Sequence, residues 1–199
     1  EAYLRALERR VAAGQPVDGV VSVASFFVSR IDTETDKRLE ASAGATSDPA
    51  ERERLRSLLG KAAIANAKLA YRMFRDTFSS DRFKALAARG ARVQRPLWGS
   101  TSTKNPAYPD LLYVEALVGP DTVDTMTPQT IAAFRDHGRV NPRAVVEGVD
   151  DAQAALARLA GVGIRIDDVT QRVLEAGVQS FVDSYNQLLQ AIARRLGAA

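Results

Sequence analysis

Three side chains near the end of one strand-like run carry most of the chemical interest of this chain. In the segment from Val20 to Asp32, Val-Val-Ser-Val-Ala-Ser-Phe-Phe-Val-Ser-Arg-Ile-Asp, an apolar and small-residue run up to Val28 delivers Ser25, Phe27 and Arg30 toward one end. A second run, Arg92 to Gly99, ends in Ser100-Thr101-Ser102-Thr103-Lys104-Asn105-Pro106. Hydroxyls and a cation at the ends of two strands suit an anion. Arg binds phosphate through two parallel N–H donors. Hydroxyls, a Lys and the backbone amides of a helix start would hold further oxygens. The expected guest is a phosphorylated small molecule, although the run lacks the Gly-x-x-x-x-Gly-Lys spacing of a nucleotide P-loop.

Each residue also has a plainer reading. A strand serine is commonly a small polar filler, an arginine past a strand end a solvated charge, and Ser-Thr-Ser-Thr a turn. Position favours function for Arg30, because ligands of parallel sheets and barrels lie at the carboxyl ends of strands. Lys104 reads either as a phosphate ligand or as an amine nucleophile. The second role needs a desolvated ammonium, which a loop lysine among hydroxyls and beside Asn105 does not supply, so phosphate binding is preferred. Trp98 and Tyr108 read as packing residues. Asp32, Glu34, Asp36 and Glu40 read as helix-start and surface charges, and His137, just before Gly138, as a helix C-terminal cap.

These side chains need a frame, and composition allows one. The 199 residues are 46% hydrophobic and 26% charged, enough for one sizeable core. With 27 basic and 24 acidic residues the net charge is only +3, and the basic residues are interspersed with acidic ones. Nucleic-acid binding is therefore not expected. With no cysteine there is no disulfide, thiol catalysis or thiolate metal site, and the single His137 cannot build a histidine metal site. No metal site built on cysteine or histidine is expected. No apolar run is long enough to span a bilayer and none reads as a signal peptide, so no membrane association and a cytoplasmic location are expected.

The pattern predicts a helix from Ala2 to Ala13, stopped by Gly14, and a strand from Val20 to Val28 covered on both faces. A helix follows from Asp32 to Ala41, then a small-residue loop from Ser42 to Ser47. Asp48-Pro49-Ala50-Glu51 starts a helix with Asp as N-cap and Pro at the first position. Its apolar stripe runs Leu55, Leu58, Ala62, Ala65, Leu69 and Met73. A short helix covers Ser80 to Ala88, closed by Gly90. The second strand is Val93 to Gly99, with Pro96 marking a strand end or an irregular sheet position. A short helix at Asp110 to Leu117 and a third strand at Asp121 to Met126 come next. Thr127-Pro128 caps a helix to Asp136, Asp150 opens another, and Asp168 opens the last. That last helix is roughly 40 Å long, with Val169, Val173, Phe181, Tyr185, Leu188, Ile192 and Leu196 as its apolar positions. Strands alternating with helices argue for an α/β fold with parallel pairing. Three parallel strands leave both edges open, and Glu1 falls inside a helical pattern, so the chain reads as part of a larger barrel or sheet.

The motifs Ser-Val-Ala-Ser-Phe-Phe-Val-Ser-Arg-Ile-Asp and Leu-Trp-Gly-Ser-Thr-Ser-Thr-Lys-Asn-Pro resemble those of bacterial transaldolases. So do Tyr113 to Met126 and Gly177 to Tyr185, and the resemblance covers essentially the whole chain. It implies the C-terminal part of a (β/α)8 TIM-type barrel. The chain would form one domain, with residues 1–165 supplying the remaining barrel strands and helices and 166–199 the long C-terminal helix. It implies transfer of a dihydroxyacetone unit between sugar phosphates of the pentose phosphate pathway: sedoheptulose 7-phosphate, glyceraldehyde 3-phosphate, fructose 6-phosphate and erythrose 4-phosphate. The family uses a Schiff-base lysine and no cofactor. By similarity Ser25 and Phe27 line the substrate pocket, and Arg30 and Ser100 bind phosphate. The family commonly has Arg two residues after that serine. Here Ser102 stands at that spacing, and Lys104 takes the cationic role through a longer loop.

Nothing in the sequence matches the family's lysine motif, an apolar strand with Lys followed by small and hydroxyl residues. The chain is therefore expected to lack the Schiff-base lysine, to hold no catalytic residue of its own and to be inactive alone. Its open edges would be covered by self-association, by pairing with the missing N-terminal half or by a rearranged helical packing. The competing reading is a non-catalytic helical interaction module with a vestigial phosphate site.

Overall fold

In a computed structural model, which describes residues 1–197, three parallel strands lie in one sheet with helices packed against it. Strand β1 is Ser22–Phe27, β2 is Gln94–Gly99 and β3 is Val123–Asp124, in the order β1-β2-β3. The β1–β2 ladder pairs Ser22 with Gln94 through Phe27 with Gly99, and β3 joins β2 only at Leu97 and Trp98. Pro96 thus sits where β2 has β1 as its single neighbour, so its missing N–H interrupts nothing on the other side. The third strand is two residues long, not the six expected.

The helices are α1 (Ala2–Ala12), α2 (Val28–Ala45), α3 (Pro49–Arg56), α4 (Ala62–Ser79), α5 (Asp81–Ala87), α6 (Leu112–Ala116), α7 (Pro128–His137), α8 (Val149–Gly161) and α9 (Ile166–Gly197). Side-chain caps fix several starts. Asp48 accepts the Ala50 N–H, Ser80 that of Phe83 and Thr127 that of Thr130, each satisfying an otherwise orphaned donor.

The principal core gathers around Trp98, Leu39, Leu117, Val145 and Val169, all essentially inaccessible. Trp98 also donates its indole N–H to the Leu117 carbonyl at 3.1 Å and packs against Phe26 at 5.6 Å between ring centroids. A second cluster, with Leu4, Leu7, Val17, Phe83 and Leu86, holds α1 against α5.

Several expectations change. Strand β1 is not covered on both faces: Ser22, Ala24 and Phe26 are half-buried, while Val23, Ser25 and Phe27 are exposed on the other face. Covering is a property of neighbours, which an apolar run cannot report. Helix α2 begins directly at Val28 and runs on through the small residues expected to form a loop, ending only at Ala45. The stripe beginning at Leu55 belongs to two helices. The chain breaks between them at Gly60, which takes φ +67°, and Met73 is 70% exposed. Helix α9 starts at Ile166, two residues earlier than expected, and of its apolar residues only Val169 is fully buried.

Candidate active site

The structure brings Ser25, Phe27 and Arg30 to one groove of about 390 Å³, walled by the end of β1, by α2, by Ala63, Asn66 and Ala67 of α4, and by α9. Ser25 and Phe27 share the exposed face of β1 because alternate strand residues point the same way. Arg30 lies three residues beyond Phe27, in the first turn of α2. Its guanidinium carbon stands 4.5 Å from the centre of the Phe27 ring, a cation–π contact. The same ring lies close to Gly99, where a Cβ would come within 3.6 Å of it. Across the groove a Cβ at Gly177 would meet an Arg30 terminal nitrogen at 3.5 Å. Arg30 thus contacts the Phe27 ring and lies close to Gly177, a residue without a side chain. Among the described residues it has no carboxylate partner and no side-chain hydrogen bond.

Ser100 follows β2 directly and takes φ +55°, the left-handed region that non-glycine residues seldom occupy. Its carbonyl accepts the Ser29 N–H at 3.1 Å, so the residue before Arg30 is tied to the start of the hydroxyl run. The rest of that run is otherwise engaged. Thr101 is buried and donates to Asp124 at 2.8 Å; burial raises the Asp124 carboxyl above its ordinary range. Ser102 exchanges a hydrogen bond with Thr130 at 2.8 Å, and Thr103 donates to the Pro109 carbonyl at 2.9 Å. Among the described residues no internal hydrogen bond engages the Ser100 hydroxyl. The helix start expected behind the run is absent: α6 begins only at Leu112. The helix N-terminus beside Arg30 is its own, that of α2. Lys104 is exposed and does not line the groove.

Of the acidic residues expected at the surface, Asp32 is buried and Asp36 half-buried. Asp32, 1% exposed, accepts the Ala63 N–H at 2.7 Å and the Tyr113 hydroxyl at 3.0 Å. It acts as an N-cap for α4 supplied by another helix. Burial pushes its carboxyl up to about 6, against the pull of the Ala63 amide and with the neighbouring Asp36 adding to it. One turn on, Asp36 accepts the Gly60 N–H at 3.0 Å and the Tyr108 hydroxyl at 2.8 Å, and burial raises it too. The four-residue spacing of two acids on an otherwise apolar helix face was the available signal. Glu34 and Glu40 keep to the surface, facing Arg38 and Arg56. Trp98 and Tyr108 do pack, as expected. His137 ends α7, but its ring faces Asp136 at 3.1 Å and Asp110 at 3.2 Å, not the terminal carbonyls. The hydrogen bond to Asp136, then that to Asp110, raises its pKa.

Among the described residues no lysine lines the groove, no cluster of His, Asp and Glu could hold a metal, and no helix is long and apolar enough to cross a membrane. Lys68, partly desolvated, is occupied by the Glu147 carbonyl at 2.7 Å.

The family model for transaldolase/fructose-6-phosphate aldolase matches residues 1–192. The chain is 47% identical over 197 residues to a transaldolase of Frankia alni, covering 99% of this chain and 51% of that one. It is 48% identical over 199 residues to a transaldolase of a Parafrankia species, covering 100% and 52%, and 47% identical over 199 residues to one of Acidothermus cellulolyticus, covering 100% and 51%. It spans about half the length of these curated relatives. The parallel strands with helices packed against them, the groove at the carboxyl end of β1 and the match along nearly its whole length agree, and the chain belongs to the transaldolase/fructose-6-phosphate aldolase family.

Proposed function

We propose that this chain supplies the sugar-phosphate-recognition part of a transaldolase and that the Schiff-base lysine lies outside it. The observation that carries the reading is the Arg30 guanidinium, unpaired among the described residues and stacked on Phe27 in an open groove. A half-buried arginine without a carboxylate partner has no counter-charge among the described residues. A phosphate ester supplies one, with the Ser100 hydroxyl as a second donor and Lys104 reaching in from its loop. Ser25 and Phe27 then border the carbon chain.

In the complete enzyme a lysine amine adds to the donor ketone and loses water to form an iminium. Loss of the proton on the β-carbon hydroxyl and cleavage of the bond between the α and β carbons release an aldose phosphate and send the bond's electrons into the iminium. The resulting enamine attacks the acceptor aldehyde, whose oxygen takes up a proton, and water releases the product from the lysine. Anchoring the phosphate orients the reacting carbons, so binding energy at Arg30 is spent on geometry at the far end of the sugar. The 199-residue chain alone should be inactive.

The test is a titration of this chain with fructose 6-phosphate and with fructose, read by amide chemical shifts, followed by borohydride and mass spectrometry. Shifts around residues 28–31 and 100 with the ester only, and no covalent adduct, are expected. Equal response to both sugars overturns the phosphate assignment. A stoichiometric adduct on Lys37, Lys61, Lys68, Lys84 or Lys104 overturns the claim that the lysine lies elsewhere.

The interaction reading is favoured by one observation and joins the first. Leu174, Val178, Phe181, Tyr185, Leu188 and Ile192 follow alternating steps of four and three along α9, the spacing of a helix-pairing seam, and all are 46–67% exposed. With the open face of β1, this stripe is proposed to be covered by the remainder of the family fold.

A further inference from the structure

Residues 100–111 run from β2 to the approach of α6 and contain both Ser100 and Lys104. This segment is fastened to α2 at its two ends. At the first, the Ser29 N–H donates to the Ser100 carbonyl at 3.1 Å. At the second, the Tyr108 hydroxyl donates to Asp36 at 2.8 Å, and just beyond it the Tyr113 hydroxyl donates to Asp32 at 3.0 Å. Arg30 sits on α2 between these fastenings, one residue after the first and two before Asp32.

The second fastening is itself anchored. The other oxygen of Asp36 accepts the Gly60 N–H, and that of Asp32 accepts the Ala63 N–H, so both carboxylates are fixed by the backbone leading into α4. Gly60 has φ +67°, and a Cβ there would fall 2.8 Å from the Tyr108 ring. The ring therefore lies directly on the backbone that orients its partner carboxylate. Between the ends, Thr103 donates to the Pro109 carbonyl, and Asn105 accepts the Ala107 N–H and, through its carbonyl, that of Tyr108. These local bonds shape the loop but do not set its distance from Arg30. Thr101 and Ser102 tie the start of the loop to Asp124 and Thr130, while the ties at Ser100 and Tyr108 are the ones that reach α2, the helix carrying Arg30.

We propose that Asp36 and Tyr108 are positioning residues, a clamp that holds the Ser100–Lys104 loop at a fixed reach from Arg30 so that one phosphate is met by both. This rests on the phosphate reading of Arg30 and Ser100. Neither residue touches the ligand. Each acts by removing the loop's freedom before binding, which lowers the entropy lost when the phosphate is gripped. Asp32 and Tyr113 do the same for the segment entering α6, and their deeper burial makes them part of the folding core as well.

The experiment is a fructose 6-phosphate titration of the 199-residue chain and of its variants Tyr108→Phe, Asp36→Ala and Asp36→Asn, by amide chemical shifts, with melting temperatures measured alongside. Tyr71→Phe serves as the control: it also deletes one tyrosine hydrogen bond, to the Pro120 carbonyl at 2.9 Å, away from the groove. Tyr108→Phe and Asp36→Ala should weaken binding at least about fivefold, as expected for a loop that must be ordered on binding. Asp36→Asn should retain most of it, since its carbonyl can still accept from Gly60 and its amide can donate to the Tyr108 oxygen. Tyr71→Phe should leave binding unchanged. Amide exchange over residues 100–107 should quicken in Tyr108→Phe and not over α8, a readout that needs no ligand.

Unchanged affinity in Tyr108→Phe and Asp36→Ala overturns the clamp while leaving the phosphate site intact. An equal loss in Tyr71→Phe overturns it too, by showing a general effect of lost stability. Failure of the unaltered chain to respond to the ester overturns the phosphate reading itself and the clamp with it. Unaltered exchange over residues 100–107 in Tyr108→Phe overturns the clamp even where an affinity cannot be compared.

Discussion

The guanidinium of Arg30 lies 4.5 Å above the ring of Phe27, three residues earlier in the chain. The pair forms because β1 passes into α2 without a connecting loop. Phe27 is the last strand residue and Arg30 the third helical one, so the change of backbone direction folds one side chain over the other. In the proposed site the aromatic face keeps the cation extended into the groove instead of letting it swing to solvent.

Removing either partner should therefore change binding differently. Arg30→Ala should reduce the affinity for fructose 6-phosphate by at least about tenfold, the scale of a lost charge-assisted contact of 1.5–3 kcal/mol. Phe27→Leu should cost only about two- to fivefold, since an exposed cation–π contact contributes about 0.5–1 kcal/mol. Calorimetric titration separates the two. Equal effects would mean that the Phe27 ring's contact with the carbon chain outweighs its hold on Arg30.

Position 177 offers a graded test of the groove. Gly177→Ala puts a Cβ at an ordinary 3.5 Å from Arg30 and removes a glycine from a helix interior. It should stabilise the chain by about 0.5–1 kcal/mol with binding intact. Gly177→Leu extends into the space before the guanidinium and should abolish binding while the melting temperature holds. Binding retained in the leucine variant would place the ligand elsewhere.

The buried carboxyl of Asp32 makes stability depend on pH. Its pKa in the folded chain, about 6, lies above the ordinary carboxylate value of 3.8. The folded state thus favours the protonated form. This contribution is complete below pH 4 and is lost as the pH rises through 6. Between pH 4 and 7 the unaltered chain should lose stability relative to Asp32→Asn by about 3 kcal/mol, the equivalent of a shift of about two pH units. Urea unfolding of both proteins across that range measures it. Parallel curves would show that hydrogen bonds to Ala63 and Tyr113 offset desolvation.

Gly60→Ala should be destabilising by about 2 kcal/mol or more, because the residue would adopt φ +67° and its Cβ would press into the Tyr108 ring. Gly14→Ala, at φ +68° but with nothing within 4 Å, isolates the backbone part of that cost. Thermal melts of the two should differ, with Gly60→Ala the lower.

Along α9, Phe181→Lys combined with Leu188→Lys should leave the melting temperature nearly unchanged, since both side chains are more than half exposed. It should sharply reduce association with a separately made N-terminal half of a transaldolase, followed by light scattering. Undiminished association would remove this stripe from the interface.

Local chemistry alone was enough to read much of the frame. Asp48, Ser80 and Thr127 announce helix starts because a short polar side chain can reach an amide two or three residues on, a relation contained within the sequence. The parallel α/β arrangement follows from the alternation of strands and helices. Ser25, Phe27, Arg30 and Ser100 stood out because their residue types cluster at strand ends. What needed the tertiary structure was everything set by residues far apart in the chain. An apolar run does not say whether both faces of its strand are covered, and those of β1 are not. A carboxylate one turn into a helix looks solvent-facing until the backbone of residues 60–63 arrives to meet Asp32 and Asp36. The hydroxyls of Thr101, Ser102 and Thr103 look available until Asp124, Thr130 and Pro109 take them, leaving Ser100. Composition and spacing therefore pointed to the kind of anion site proposed for this chain. Only the packing of α2, α4, α9 and the 100–111 loop decided which side chains remain open to a ligand.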